Sequence, residues 1–391
     1  MGMQMTQSNA LVVLPAYGND FEALINETIL PVAMSRLRGQ LTMPGLITVN
    51  TADESKKVGE SIRINKPVEF DEADEHGVGG SVATDLEVEK VDLKLDRHIY
   101  KEFKMSDREF TGMQPGVIPD ALGAAVDVLA RTINEAIFDL VKEVPYHSGV
   151  LGSTNPLDKK DVINARKTLH NAKVLGEKTF VLTSDGEADL LGVFTTGSDQ
   201  VAEKEGVIGR RFGLNCYSDI QAPFHFAGTA SESQSATIST AASVGTSVLV
   251  IKGLDPAATF VRGDVIKVAG VESPFSVAND VAADGTGSAI VTIHEVIKTD
   301  IPAGAAVAVA KDHGFNIAFS KSAFVIAFRQ LETPANAPGV TMGSMTDPVT
   351  GVTMRLLSSY NFATESTHWK LEILFGCKAV APERAIRVGS H

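Results

Sequence analysis

Residues 226–312 constrain the fold more than any other part of this chain. The stretch is rich in Gly, Ala, Thr, Ser and Val. Strand-like runs recur in it about every ten residues, the pattern of a small all-β barrel or sandwich. The runs are "ATIST", "SVLVIKG", "DVIKVAG", "AIVTIHEVIK" and "AAVAVAK", each bounded by turn residues. On both sides the pattern is α/β, so the β piece interrupts a domain that starts before it and resumes after it. Insertions are tolerated at surface loops whose ends lie close together. Residues near 225 and 313 are therefore expected to be neighbours.

The chain returns through "HGFNIAFSKSAFVIAFRQLETP", residues 313–334. "AFVIAF" is far too short to span a bilayer and is bracketed by Lys321 and Arg329. Phe315, Phe319, Phe324 and Phe328 fit strand positions, and no acid, base or nucleophile clusters beside them. They are expected to be buried as core rather than to line a ligand pocket.

The 391 residues exceed the size at which a single core stops growing, roughly 250–300. Before the insertion, "GNDFEALINETILPVAMSRL" has helical spacing after an Asn/Asp cap, with Pro31 expected to interrupt it. "ESIRINKPVEF" and "TDLEVEKVDLKLD" alternate apolar and charged residues, with a phase slip at Lys90 that suggests a bulge. Joined by "DEADEHGVGGS", they predict a long β-ribbon. An isolated two-stranded ribbon is marginally stable, so its apolar face needs a partner, and a neighbouring subunit is a natural one.

Pro119 and Asp120 open a helix predicted over 119–144, with Leu122, Val126, Leu129, Ile133, Ile137, Leu140 and Val144 on one face. "NPLDKKDVINARKTLHNAKV", "KTFVLTS" and "SDGEADLLGV" read as helix, buried strand and helix. "VTMRLLSSYNF" and "THWKLEILFGCKAV" are expected to pair as long closing strands.

Signals for chemistry are weak. The nine histidines form no H-E-x-x-H and no i, i+4 pair. "HGVGGS" (76–81) lacks the Lys-Ser/Thr of a phosphate loop, and no G-x-S-x-G elbow is present. "RGD" (262–264) reads as a turn before a strand, the acidic run 69–75 as a solvated tip, and Arg210–Arg211 as a lone basic pair. Cys216 and Cys377 suggest no disulfide framework, a reducing compartment and core thiols. No basic and apolar leader opens the chain. A net charge of −13 argues against gripping nucleic acid, though not against enclosing it. The reading assigns no catalytic, cofactor-binding or metal-binding residue and expects no enzyme.

The order of parts carries more information. An arm, a charged ribbon, a solitary long helix, an α/β region and closing strands together resemble the Hong Kong 97 fold of tailed-phage major capsid proteins. The all-β insertion is similar to that of the P-twenty-two-type coat proteins. "GRRFGLNCYSDIQAPFHFAGT", "NIAFSKSAFVIAFRQLETP" and "MRLLSSYNFATESTHWKLEILFGCKAVAPERAIRV" also look familiar from that family.

The resemblance implies an α+β fold divided as N-terminal arm (1–50), extended β-loop (51–100) and peripheral domain with a spine helix at 119–144 (101–155). The first axial part (156–225), the inserted domain (226–312) and the second axial part (313–340) follow. Peripheral strands and the C-terminus (341–391) close the chain. It further implies self-assembly as hexamers and pentamers into an icosahedral shell enclosing double-stranded DNA. The implied partners are a scaffolding protein, a portal and, in some shells, a decoration protein. The implied location is the virion, after assembly in the host bacterial cytoplasm. Hinges are expected at Pro31, Pro44, Gly77, Gly79 and Gly80. An encapsulin-like nanocompartment is the nearest alternative, and the β insertion favours the phage coat. An α/β enzyme with an accessory β domain and a tail or decoration protein are more distant readings.

Overall fold

A computed structural model describes residues 29–50, 61–66, 90–111, 117–152, 156–174, 176–195, 208–233, 235–331, 340–348 and 350–389. The chain divides into two units. One contains Met1–Gln40, Arg97–Ala130 and Phe328–Leu374; the other contains Leu41–Asp96, Arg131–Ala327 and Phe375–His391.

In the first unit, Val340–Thr346, Thr353–Asn361 and Ser366–Ala379 form an antiparallel meander, with Leu356 opposite Leu371. Arg97–Ser106 pairs with Ser366–Ala379 as well. Leu356, Trp369 and Leu371 are buried. Alternation between buried and partly exposed positions along Thr353–Asn361 is what a sheet with one covered face requires. The buried Glu372 takes Arg355 and Lys370 as partners, with His98 nearby. Burial pushes its pKa up, but the hydrogen bonds from Lys370 and Arg355 prevail and hold it below the usual carboxylate range.

The expected interruption at Pro31 falls at the border of the described residues, since those before 29 lie outside them. Pro31 lies in the first turn of helix Leu30–Gln40, where a missing N–H costs nothing and a fixed φ suits the helix. That helix is held rather than loose. Arg36 makes two hydrogen bonds to Asp127, of 2.8 and 2.7 Å, and Arg38 pairs with the buried Asp347. Pro44 likewise starts a short helix, Met43–Leu46, and is buried there. Residues 67–89, with the ribbon tip, its glycines, the acidic run and the segment before Lys90, lie outside the described residues.

The second unit is built on a mixed six-stranded sheet. Its order is His147–Ser148, Ala385–Val388, Asn316–Ser320, Lys178–Leu182, Leu214–Ser218, Arg210–Arg211. Lys178–Leu182 is buried at all five positions, as a central strand covered on both faces must be. Helices Lys159–Asn171 and Ser184–Thr195 accompany it; Asp158 caps the first, and Asp161 completes the capping box. Phe315, Phe319 and Phe324 are buried here, and Phe328 is buried in the first unit, as expected of core residues. Ser61–Asn65 and Lys90–Lys94 pair in regular antiparallel register through Asn65 opposite Lys90. Ile62, Leu93 and Leu95 of this ribbon base pack on Ala327.

The long helix is Val117–Asp139, 23 residues and about 35 Å, followed by a tighter 3-10 turn over Leu140–Glu143. The sequence reading of 119–144 as a single α-helix is thereby corrected at both ends. Periodicity alone does not separate the two because Leu140 and Val144 are both still buried.

Candidate functional site at the base of the inserted β domain

The inserted segment carries a hydrophobic core of its own. Ile238, Leu249, Ile251, Phe260, Ile266, Phe275, Val291 and Ile293 belong to one cluster whose members all lie between Ala230 and Val309. Three small sheets surround it: Thr237–Ile238 with Val248–Lys252 and Ser288–Thr292, Thr259–Phe260 with Val281–Ala282, and Phe275–Ser276 with Val265–Val268 and Val307–Val309. The chain enters and leaves through a two-residue ladder in which Phe224–His225 runs antiparallel to His313–Gly314, with His225 opposite His313. The two crossings are thus neighbours, as the insertion requires.

Where this segment meets the rest of its unit, the contact is polar. Arg262, Gly263 and Asp264, the "RGD" of the sequence, form the docking turn. Arg262 reaches the end of the long helix, with 2.7 Å to Asp139 and 3.3 Å to Glu143. Gly263 has φ +97°, and a Cβ there would sit 2.7 Å from the Lys142 side chain, so a bare glycine is needed for this approach. Asp264 is fully buried. It bonds His225 Nε2 at 2.8 Å and accepts the backbone N–H groups of Val261 and Gly228. The Ser276 hydroxyl donates to the Lys142 carbonyl. Burial pushes Glu143 up despite Arg262, whereas hydrogen bonds from Lys142 and Arg262 outweigh burial and hold Asp139 down.

Arg387 joins these pieces from below. It stands on the C-terminal strand Ala385–Val388 and is 1% exposed. Its Nε donates to the Val141 carbonyl at 3.1 Å and its Nη1 to the Gly263 carbonyl at 2.7 Å. Its guanidinium lies 5.4 Å from the centroid of the Phe315 ring. Burial pulls it down to about 9, with Glu295 and Asp264 opposing. His313 is buried, its ring beside His225 and Phe315, and Nδ1 donates to the Lys311 carbonyl at 2.8 Å.

Sequence reasoning read 262–264 as a turn and missed Arg387 and His313. A buried arginine announces itself only through tertiary context, since Arg is almost never fully buried without partners. Arg210–Arg211 forms the sheet's short edge strand. Cys216 is pushed up to about 11 by burial, which suits a packed thiol rather than a nucleophile. Among the described residues, no group of three or more His, Cys, Asp or Glu is arranged to hold a metal ion. No helix among them is long and apolar enough to cross a membrane.

Ribbon, long helix, mixed sheet interrupted by an all-β segment, and closing antiparallel strands follow one another in the chain order expected from the sequence resemblance. No protein-family model and no curated protein matches the sequence. Among solved structures, the chain is similar to one from Mycobacterium phage Che8, at 14% identity and TM-score 0.44, covering 90% of this chain and 92% of that one. It is similar to one in the capsid of the cyanophage P-SCSP1u, at 10% identity and TM-score 0.47, covering 88% and 86%. It is also similar to one in a virus-like particle from Pyrococcus furiosus, at 10% identity and TM-score 0.40, covering 92% and 96%.

Proposed function

We propose that this chain is the major capsid protein of a tailed bacteriophage. It assembles as hexamers and pentamers into an icosahedral shell around a double-stranded DNA genome. The observation that carries this reading is the order of its elements, with a self-cored β domain inserted into the mixed sheet through paired crossings.

Two further features support it. Ile220 is 92% exposed and Phe226 70% in one unit, and Phe362 is 86% exposed in the other, large apolar groups that partner subunits would cover on this reading. The acidic balance, −13 net, suits a wall that contains DNA without gripping phosphate. On this reading the chain works in the virion with copies of itself, and a scaffolding protein, a portal and a decoration protein act with it during and after assembly in the host cytoplasm. The domain division given under Sequence analysis is part of the same proposal.

Sedimentation of the expressed full chain, alone and with a scaffolding protein, tests it. Particles far heavier than the 41.5 kDa subunit are expected. A monomer that persists at high concentration under both conditions would overturn the reading.

A further inference from the structure

Helix Lys159–Asn171 carries Lys159, Lys160, Arg166 and Lys167 against a single carboxylate, Asp161. That carboxylate is committed to the capping box, where it accepts the Asp158 N–H at 3.3 Å while Asp158 accepts the Lys159 N–H at 2.6 Å. Val162, Ala165 and Leu169 turn the other way, into the core under the mixed sheet. Lys160, Ile163, Lys167 and His170 follow one another by threes and fours down the outer face, all of them exposed, as a stripe about 15 Å long. Arg166 and Lys173 flank the stripe and are exposed as well.

These cations have no opposite charge beside them. Arg166 Nε lies 3.4 Å from His170 Nε2, and a Cβ at Gly213 would come 3.4 Å from its Cζ, so neutral neighbours hold the guanidinium in place. Among the described residues none of Lys160, Arg166, Lys167 and Lys173 forms an ion pair. Arg36, Arg38, Arg262 and Arg355, by contrast, each meet a carboxylate.

The sequence says what chemistry fits such a face. The chain has 48 Asp and Glu against 35 Lys and Arg, so copies repel one another and approach best where opposite charges meet. Residues 67–89, "PVEFDEADEHGVGGSVATDLEVE", contain eight Asp and Glu and no Lys or Arg. Leu86 and Val88 alternate there with Asp85, Glu87 and Glu89, and read as a strand this part spans about 13 Å, close to the length of the stripe. Ile163, 46% exposed between Lys160 and Lys167, gives the stripe an apolar centre. A phosphate backbone would leave Ile163 uncovered, whereas a segment that mixes acidic and apolar residues satisfies both parts of the face.

We propose that the outer face of helix Lys159–Asn171 receives the acidic segment 67–89 of a second copy of this chain. The proposal rests on the shell reading, since it needs copies side by side. Lys160, Arg166 and Lys167 meet carboxylates of the segment, and Ile163 packs on its apolar residues. Contacts of this kind steer approach and select the partner, and they weaken as salt is added.

Charge reversal in the full chain tests this, read by sedimentation under conditions in which the parent assembles. One set, Lys160→Glu, Arg166→Glu, Lys167→Glu and Lys173→Glu, reverses the helix face. The other, Glu72→Lys, Glu75→Lys, Glu87→Lys and Glu89→Lys, reverses the segment. Each set alone should raise the concentration needed for half assembly about tenfold. The segment set brings the net charge nearer zero, so general repulsion alone would improve its assembly, and the proposal predicts the reverse. An equimolar mixture of the two sets restores opposite charges between copies and should recover assembly. Urea midpoints equal to the parent's show that the sets fold. Where a set lowers the midpoint, Lys160→Gln with Lys167→Gln, or Glu87→Gln with Glu89→Gln, should give a smaller shift of the same sign. A parent that never assembles would overturn the shell reading and this one with it. A parent that assembles no better than either set would overturn this proposal alone. Recovery only when both sets are placed in one chain would do the same, by putting the contact within a chain. So would unchanged assembly of the helix set with loss of binding to a short DNA duplex, which would assign the face to nucleic acid.

Discussion

Arg387 shows how much one side chain can hold together. Its guanidinium supplies hydrogen to two carbonyls, Val141 after the long helix and Gly263 of the inserted domain. Arg387→Met keeps the apolar stem but strands both acceptors. A buried group left unsatisfied costs about 1–3 kcal/mol, so a loss of about 2–4 kcal/mol in urea unfolding is expected. Gly263→Ala attacks the same contact from the other side. Its positive φ and the adjacent Lys142 side chain predict a loss of about 1–2 kcal/mol. Glu372 gives a pH-dependent case. Its pKa is held down in the folded chain, so its contribution is present above 4.5 and is lost as pH falls through the lowered value. Glu372→Gln should therefore reduce stability at neutral pH and flatten the acid limb of the unfolding curve.

Elements were legible where period and burial agree. The long helix, the closing strands and the buried Lys178–Leu182 follow directly from apolar spacing. The two-residue ladder at 224–225 and 313–314 has no period of its own, yet its proximity was implied by the interruption of one domain by another. The polar base of the inserted domain was not legible. "RGD" has the residues of an ordinary turn, and nothing local in "ERAIRV" marks Arg387 as buried. Which carbonyls it meets depends on segments more than one hundred residues away. At Gly376 a Cβ would lie 2.0 Å from the Lys94 carbonyl oxygen, so the ribbon base runs against bare backbone there. Gly376→Ala should displace the Lys90–Lys94 strand, seen as faster amide exchange at 61–65 and 90–94. Replacing residues 226–312 by a short Gly-Ser linker should leave a cooperatively unfolding chain, since His225 and His313 are already paired partners. Loss of a cooperative transition would show instead that the inserted domain organises its host.

For the whole molecule, the central claim is that these elements serve assembly. Exposed Ile220, Phe226 and Phe362 are then surfaces awaiting other copies, and Ile220→Asp should reduce assembly while leaving the subunit's unfolding midpoint within about 0.5 kcal/mol of its parent. On that account the net negative charge suits a wall that contains DNA without gripping phosphate. The most direct test is electron microscopy of the expressed full chain, with a scaffolding protein where one is needed. Closed shells tens of nanometres across, with rings of six and five subunits in icosahedral arrangement, are predicted. A uniform population of folded monomers or small open oligomers under every assembly condition would contradict the account.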